Sequence, residues 1–286
     1  MTARPGPAAQ VRRRVFQAED RVWVSAGLYV ALVLTLGLPL LIMALWSFSD
    51  GWFPPGLLPQ GYTLSHWQEL LGDASLVAAT FRSLGIAVTV TVLAGIIALP
   101  TAWAMARFPF RLKRALELFI LAPLIVPGVV MATGLGRLFF GLHLNYTVAG
   151  VILVQLVGVL PLMIRLLTAS LEGIPDELLH AARSLGAGPV QVALRVVVPL
   201  AAPGFMAGGL LSFVSSFEEF DKTFIVGAPL IETLPTKLFF YLNGAGVTFP
   251  TAAAVCLLLL LPVLVVFLIA GRIMKDDVMA SGMGKL

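Results

Sequence analysis

The residues able to do chemistry are few and grouped. Glu218, Glu219, Asp221 and Lys222 follow an uncharged run from 196 to 217. On one continuous helix Glu218, Asp221 and Lys222 share a face at i, i+3 and i+4, with Glu219 turned away by about 100°. If that helix starts near Ala201, a rise of about 1.5 Å per residue puts Glu218 roughly 25 Å along it, close to the far end. Carboxylates so placed in an apolar helix face a bundle interior or a water-filled cavity. Glu218, Glu219 and Asp221 are therefore candidates for the mouth of a pathway that favours cations. The competing reading is a locally neutralised cluster whose Lys222 reaches outward to water.

A second group lies in Leu171–Pro199, too polar to cross a membrane and too patterned for a linker. Pro175 suits a first helical turn, and Asp176 and Glu177 complement the helix dipole there. Gly186 supplies a left-handed stop and Pro189 opens the next segment. A helix of about three turns is expected, with Leu178, Leu179, Ala182 and Leu185 as its apolar stripe. Such a helix suits docking into a groove on another protein.

Other chemistry is missing from the pattern. There is no G-x-x-x-x-G-K-[ST] in the sequence, so a P-loop nucleotide site is excluded. No nucleophile–base or metal-ligand spacing is readable, and His66 and His143 fall on the opposite membrane side from His180. Gly134-x-Gly136 and Gly204-x-x-x-Gly208 lie inside apolar runs, where close helix packing is the expected role. Cys256, the one cysteine, sits among aliphatic residues as a small apolar side chain.

The elements that hold these groups follow from composition. The chain is 59% hydrophobic and 12% charged, about half the roughly 25% charge of a soluble domain. Uncharged runs cover 22–49, 83–106, 118–136, 138–164, 196–217 and 238–271. Each approaches or exceeds the ~20 residues that carry a helix across the bilayer core, and none alternates as a barrel strand would. Six transmembrane helices are predicted, at about 22–48, 80–106, 116–139, 146–167, from 201, and 249–273. Pro123 and Pro127 in the third free backbone carbonyls that protein or a watery cavity must satisfy.

Fifteen of the nineteen Lys/Arg fall on one side of that topology: the N-terminal tail, the 107–117 loop, the 165–199 segment and the C-terminal tail. Cations mark the cytoplasmic side, so both termini and the 165–199 segment are placed there. The net charge of +4 is thus a topology signal, and nucleic acid is not an expected partner. The first apolar run is too long for a signal-peptide core and reads as a retained span. Residues 1–21 form a basic tail, read as mobile. Residues 22–48 form a peripheral span, 49–79 an external loop, 80–273 the core, and 274–286 a cytoplasmic tail. The external loop opens with the Gly/Pro-rich stretch Gly51–Gly61, and Thr63 or Ser65 caps a short interfacial helix carrying Trp67, Leu70 and Leu71.

Ala181-Ala182-x-x-x-Gly186, nine residues, then Val196-x-Val198-Pro199 resembles the E-A-A-x-x-x-G-x9-I-x-L-P signature of ABC importer permeases. Four positions are identical and two are valine for another aliphatic. The resemblance implies an all-α polytopic fold, the type I ABC importer permease, with 176–186 as a coupling helix that fits a cleft in a separate ATPase. Glu177, His180, Ala181, Ala182, Gly186 and Pro199 are the implied coupling residues. His180 stands at the signature's glutamate and carries no carboxylate, so Glu177, one turn earlier, is the expected substitute.

Ala122-Pro123-Leu124-Ile125-Val126-Pro127, Ser216-Phe217-Glu218-Glu219-Phe220 and Thr233-Leu234-Pro235-Thr236-Lys237-Leu238 are similar to the polyamine (spermidine/putrescine) permeases, although Glu218 replaces their usual first aspartate. The resemblance implies a non-enzymatic subunit of the bacterial inner membrane forming half of a translocation pathway. Its implied partners are an ABC ATPase dimer that holds ATP and Mg, a second permease, an extracytoplasmic solute-binding protein and the lipid bilayer. A polyamine or similar cation is the implied substrate. Amino-acid derivatives, opines or phosphonates are the alternatives, and a secondary transporter is a more distant one. Secondary transporters carry repeats and buried ion relays, and a span nearly free of ionisable groups provides neither.

Overall fold

A computed structural model describes residues 7–283 except 53–55, 57 and 244–248, with side chains between 23 and 272. Long apolar runs fold as helices because the bilayer leaves backbone groups no partner but their own helix. The helices are α1 (Pro7–Ser47), α2 (Ser65–Gly72), α3 (Ala74–Arg107), α4 (Lys113–Ile125), α5 (Gly128–Gly141), α6 (Val148–Glu172) and α7 (Asp176–Ser184). There follow α8 (Pro189–Val192), a π-helical turn at Ala193–Val197, α9 (Val198–Leu200), α10 (Ala202–Phe217), α11 (Asp221–Gly227), α12 (Leu234–Asn243) and α13 (Phe249–Met283). Among the described residues four helices are long and apolar enough to span, and six when each of two bent pairs counts as one span.

Several expected boundaries move. The tail read as mobile is already helical from Pro7, and α3 starts at Ala74 rather than near residue 80. Asp73 explains the earlier start: its carboxylate accepts from the Ser75 amide at 2.8 Å and caps α3. The third span is no single helix. α4 and α5 meet at Val126–Pro127 with a bend of 104°, because proline cannot donate into the preceding turn. Of the Gly/Pro-rich stretch, 53–55 and 57 lie outside the described residues, as do the side chains of Arg4, Arg12, Arg13, Arg14, Arg21, Lys275 and Lys285.

Two compact units divide the chain. The first takes residues to Trp67 together with the start of α13 as far as Leu257. In it α1 is followed by strands β1 (Ser49–Asp50) and β2 (Gly61–Tyr62), antiparallel with Ser49 opposite Tyr62. Trp46 stacks on Phe249 with ring centroids 5.7 Å apart, and His66 Nε2 lies 3.2 Å from the Ser49 carbonyl. No residue in the most apolar window of α1 is buried.

The second unit is built on α3, α6 and α10. Small residues line the contacts: Ala87, Ala94, Ala98 and Ala102 of α3 are fully buried. A Cβ added at Gly204 would lie 2.5 Å from Ser170 Cβ, and one at Gly208 would lie 2.4 Å from Met163 Sδ. Without a hydrophobic drive between helices in lipid, such close backbone approach supplies the dispersion energy of packing. Gly136 packs equally closely on Ile225, but Gly134 faces open space, so only the second of that expected pair is a packing glycine.

At the start of α3, Tyr241 Oη donates to Asp73 Oδ2 at 2.8 Å. The Ser75 hydrogen bond, against a smaller effect of burial, holds the Asp73 carboxyl below its usual range. Burial first, then Asp73, pushes the Tyr241 phenol up to about 12. A raised phenol pKa favours the folded, protonated form. Its stabilisation is complete below the ordinary value of 10.0 and is lost as pH rises through about 12. Absorbance titration of the four tyrosines against Tyr241→Phe is expected to assign the most alkaline phenol to Tyr241. Identical titration curves above pH 10 would rule this out.

Candidate coupling and pathway sites

The coupling helix is fixed by its own ends. Asp176 and Glu177 occupy the first turn of α7, and Gly186 follows it with φ +85°. The Gly186 amide donates to Arg183 O at 2.9 Å and the Ala187 amide to Ala182 O at 3.1 Å. This paired pattern is a Schellman stop, and it needs a residue free to turn left-handed. The signature glycine is thus a cap. Leu179 is 4% exposed, and Ala182 and Ala187 pack beside it on the main core. Glu177, His180, Ala181 and Leu185 are exposed, Leu185 at 89%. Of the expected apolar stripe, Leu179 and Ala182 turn inward, while Leu178 and Leu185 face out.

Beyond the cap, Val197 is the buried residue of Val196-x-Val198-Pro199, and Pro199 itself is exposed. The Val198 amide reaches back to Ala193 O, one residue further than in an α-helix. After Leu200 the chain bends by 66° into α10.

Arg107 is the residue that sequence reasoning missed. It ends α3, and its Nη2 donates to Leu171 O at 2.8 Å and Ile174 O at 2.7 Å. Its Nη1 pairs with Asp176 Oδ1 at 2.6 Å, and its guanidinium lies 5.4 Å from the Trp103 ring centre. One side chain therefore holds Leu171 O at the end of α6 and Ile174 O in the turn that follows, and tethers α7 to α3. The sequence showed it only as one cation among several in a loop.

At the other end of α10 the expected helix is broken. α10 stops at Phe217, and a short turn closed by the Glu219 amide on Ser216 O at 3.3 Å separates it from α11, which begins at Asp221. The predicted common face of Glu218, Asp221 and Lys222 is therefore absent. Glu219, expected to point away, pairs with Lys222 Nζ and also accepts from the Lys222 amide at 2.9 Å. Lys222 does not reach outward to water: it is 7% exposed, and Gly158 leaves the room for it, a Cβ there lying 3.0 Å from its Cε.

Asp221 sits against Gly128, where an added Cβ would meet its Oδ2 at 2.5 Å. A carboxylate beside the first residue of α5 complements the dipole of that helix. Glu218 is exposed and has no side-chain partner among the described residues. Beneath this break lies a buried polar chain. Ser216 Oγ donates to Gln155 Oε1 at 2.5 Å, and Gln155 Nε2 donates to Thr223 Oγ1 at 2.8 Å. The lone glutamine within the uncharged run 138–164 was the available signal for it.

Among the described residues no group of three or more His, Cys, Asp or Glu is arranged for a metal ion.

The family model described as "Binding-protein-dependent transport system inner membrane component" matches residues 94–275. The spermidine/putrescine transport system permease protein PotC of Shigella flexneri is 29% identical over 259 residues, 91% of this chain and 97% of PotC. The sulfoquinovosyl glycerol permease SmoH of Agrobacterium fabrum is 27% identical over 81% of this chain and 80% of its own length. A chain in the crystal structure of a bacterial ABC transporter that imports the acidic polysaccharide alginate superposes with a TM-score of 0.68. It is 14% identical, and the match covers 92% of this chain and 99% of that one. The fold is that of the type I importer permeases. With the family model spanning most of the core, the chain belongs to the inner-membrane permease components of binding-protein-dependent ABC importers.

Proposed function

We propose that this chain forms half of the translocation pathway of an importer for a small organic cation of the polyamine class. A separate ATPase dimer carrying ATP and Mg drives it through α7. A second permease, homologous or identical, completes the path, and an extracytoplasmic binding protein delivers the solute. Both termini and α7 face the cytoplasm. The observation that carries this reading is α7 itself, anchored on one side by Arg107 and Leu179 and bare on the other at Glu177, His180, Ala181 and Leu185. A bare face on a rigidly held helix is a surface made for a partner.

The cation class is supported by the PotC relatives and by Glu218. Glu219 is occupied by Lys222 and Asp221 by the start of α5, which leaves Glu218, among the described residues, as the free carboxylate where α10 stops. The SmoH likeness favours a sugar-like solute as the second reading. Uptake of putrescine by the reconstituted complex separates them. Glu218→Gln is expected to raise KM about tenfold, equivalent to ~1.4 kcal/mol of binding. Putrescine uptake indifferent to Glu218→Gln would remove the substrate role, and uptake of a disaccharide in its place would favour the second reading.

A further inference from the structure

We propose that the groove between α3 and the Pro189–Leu200 segment holds one acyl chain of a phospholipid whose anionic headgroup rests on Arg183. The groove has a volume of about 370 Å³, within the range of roughly 300–1,000 Å³ that takes a small apolar body. Leu99, Pro100 and Trp103 form one wall, and Val192, Ala193 and Val197 the other. Every one of these side chains is apolar except for the Trp103 indole N–H. Leu99 lies eight residues before the end of α3, about 12 Å into the helix.

Arg183 lines the same groove from α7. It is exposed and has no ion pair or hydrogen bond from its side chain among the described residues. The groove lining contains no carboxylate to neutralise it. An apolar slot running into a membrane helix, with a free guanidinium at its polar end, matches the two chemistries of a phospholipid in the right order. Basic pockets between membrane helices recognise anionic headgroups in this way, with the planar guanidinium forking onto phosphate oxygens. An apolar segment of protein in the groove would leave Arg183 unanswered.

A second observation falls at the same place. Ala193 and Val197 are the first and last residues of the π-helical turn, so a chain in the groove packs directly on that turn. Turns of this kind inside helices concentrate at functional sites. The occupied groove would brace the segment that joins α7 to α10.

Native mass spectrometry of the full chain in detergent, with added phosphatidylglycerol or phosphatidylcholine of matched acyl chains, tests this. The wild type is expected to retain phosphatidylglycerol at least about fivefold better, a difference of ~1 kcal/mol. Arg183→Gln should abolish that preference while leaving phosphatidylcholine retention unchanged, and Ala193→Trp should reduce retention of both. A preference for phosphatidylglycerol that survives Arg183→Gln would overturn the proposal. So would lipid retention indifferent to Ala193→Trp in a variant that elutes as the wild type on gel filtration, or phosphatidylglycerol displaced by millimolar inorganic phosphate. Cross-linking of Ala193→Cys to the ATPase or to a second permease would assign the groove to protein and overturn it as well.

Discussion

Arg107→Ala is expected to cut solute uptake per ATP hydrolysed by at least about tenfold in the reconstituted complex. The guanidinium makes two bonds to carbonyls at the end of α6 and the following turn, at 2.8 and 2.7 Å. Hydrogen bonds from a charged donor contribute about 1.5–3 kcal/mol each. The Asp176 pair adds at most ~1 kcal/mol, because that carboxylate is 69% exposed. Without Arg107, α7 keeps its core contact through Leu179 but loses its tether to α3. A displacement of α7 is then absorbed locally and does not reach the spans. Only about 1.4 kcal/mol in the transmitting state is needed for a tenfold loss. Asp176→Asn should cost far less, which separates the carbonyl clamp from the ion pair. Wild-type uptake per ATP in Arg107→Ala would show that the clamp transmits nothing.

Gly204→Val is expected to destabilise the α3–α6–α10 core by about 1–3 kcal/mol, the usual effect of overpacking. Its Cβ would lie 2.5 Å from Ser170 Cβ and 3.1 Å from the Leu166 carbonyl oxygen. The backbone atom cannot swing aside as a flexible side chain would, so α6 and α10 must separate. Gly134→Ala supplies the contrast. Nothing lies within 4 Å of a Cβ there, and alanine favours a helix by up to about 1 kcal/mol over glycine. Thermal unfolding of the solubilised chain should move the two variants in opposite directions. Equal shifts would refute close packing at Gly204.

The helices closest to local rules were the most legible. The start of α7 after Pro175 and its stop at Gly186 were readable because a proline at the helix entry, acidic first-turn residues and a left-handed glycine act within one turn of themselves. The spans were readable because lipid demands length and apolarity in an unbroken run. What sequence concealed was of two kinds. Arg107 contacts residues 64 to 69 positions away, and periodicity carries no information at that range. The break at 218–220 contains neither glycine nor proline. It follows from the Glu219 carboxylate turning back to take the Lys222 amide, an alternative to the helical bond that acidic residues offer the backbone. A continuous helix through 218–222 turns Glu219 away from Lys222, whereas the break brings the two together. Pro127 marked the third span as irregular, but the 104° bend depends on how α5 packs against α11.

α7 is expected to lie on the cytoplasmic side, covered there by a separate ATPase. Cys256 is the one cysteine of the chain, so Cys256→Ser with Ala181→Cys places a single thiol on the bare face of α7. Labelling with a membrane-impermeant maleimide, from outside intact cells and in inverted vesicles with and without the ATPase, reads both the side and the cover. The expected result is no labelling from outside, ready labelling in inverted vesicles, and protection when the ATPase is present. A thiol that reacts from outside, or one that the ATPase leaves equally reactive, would contradict it.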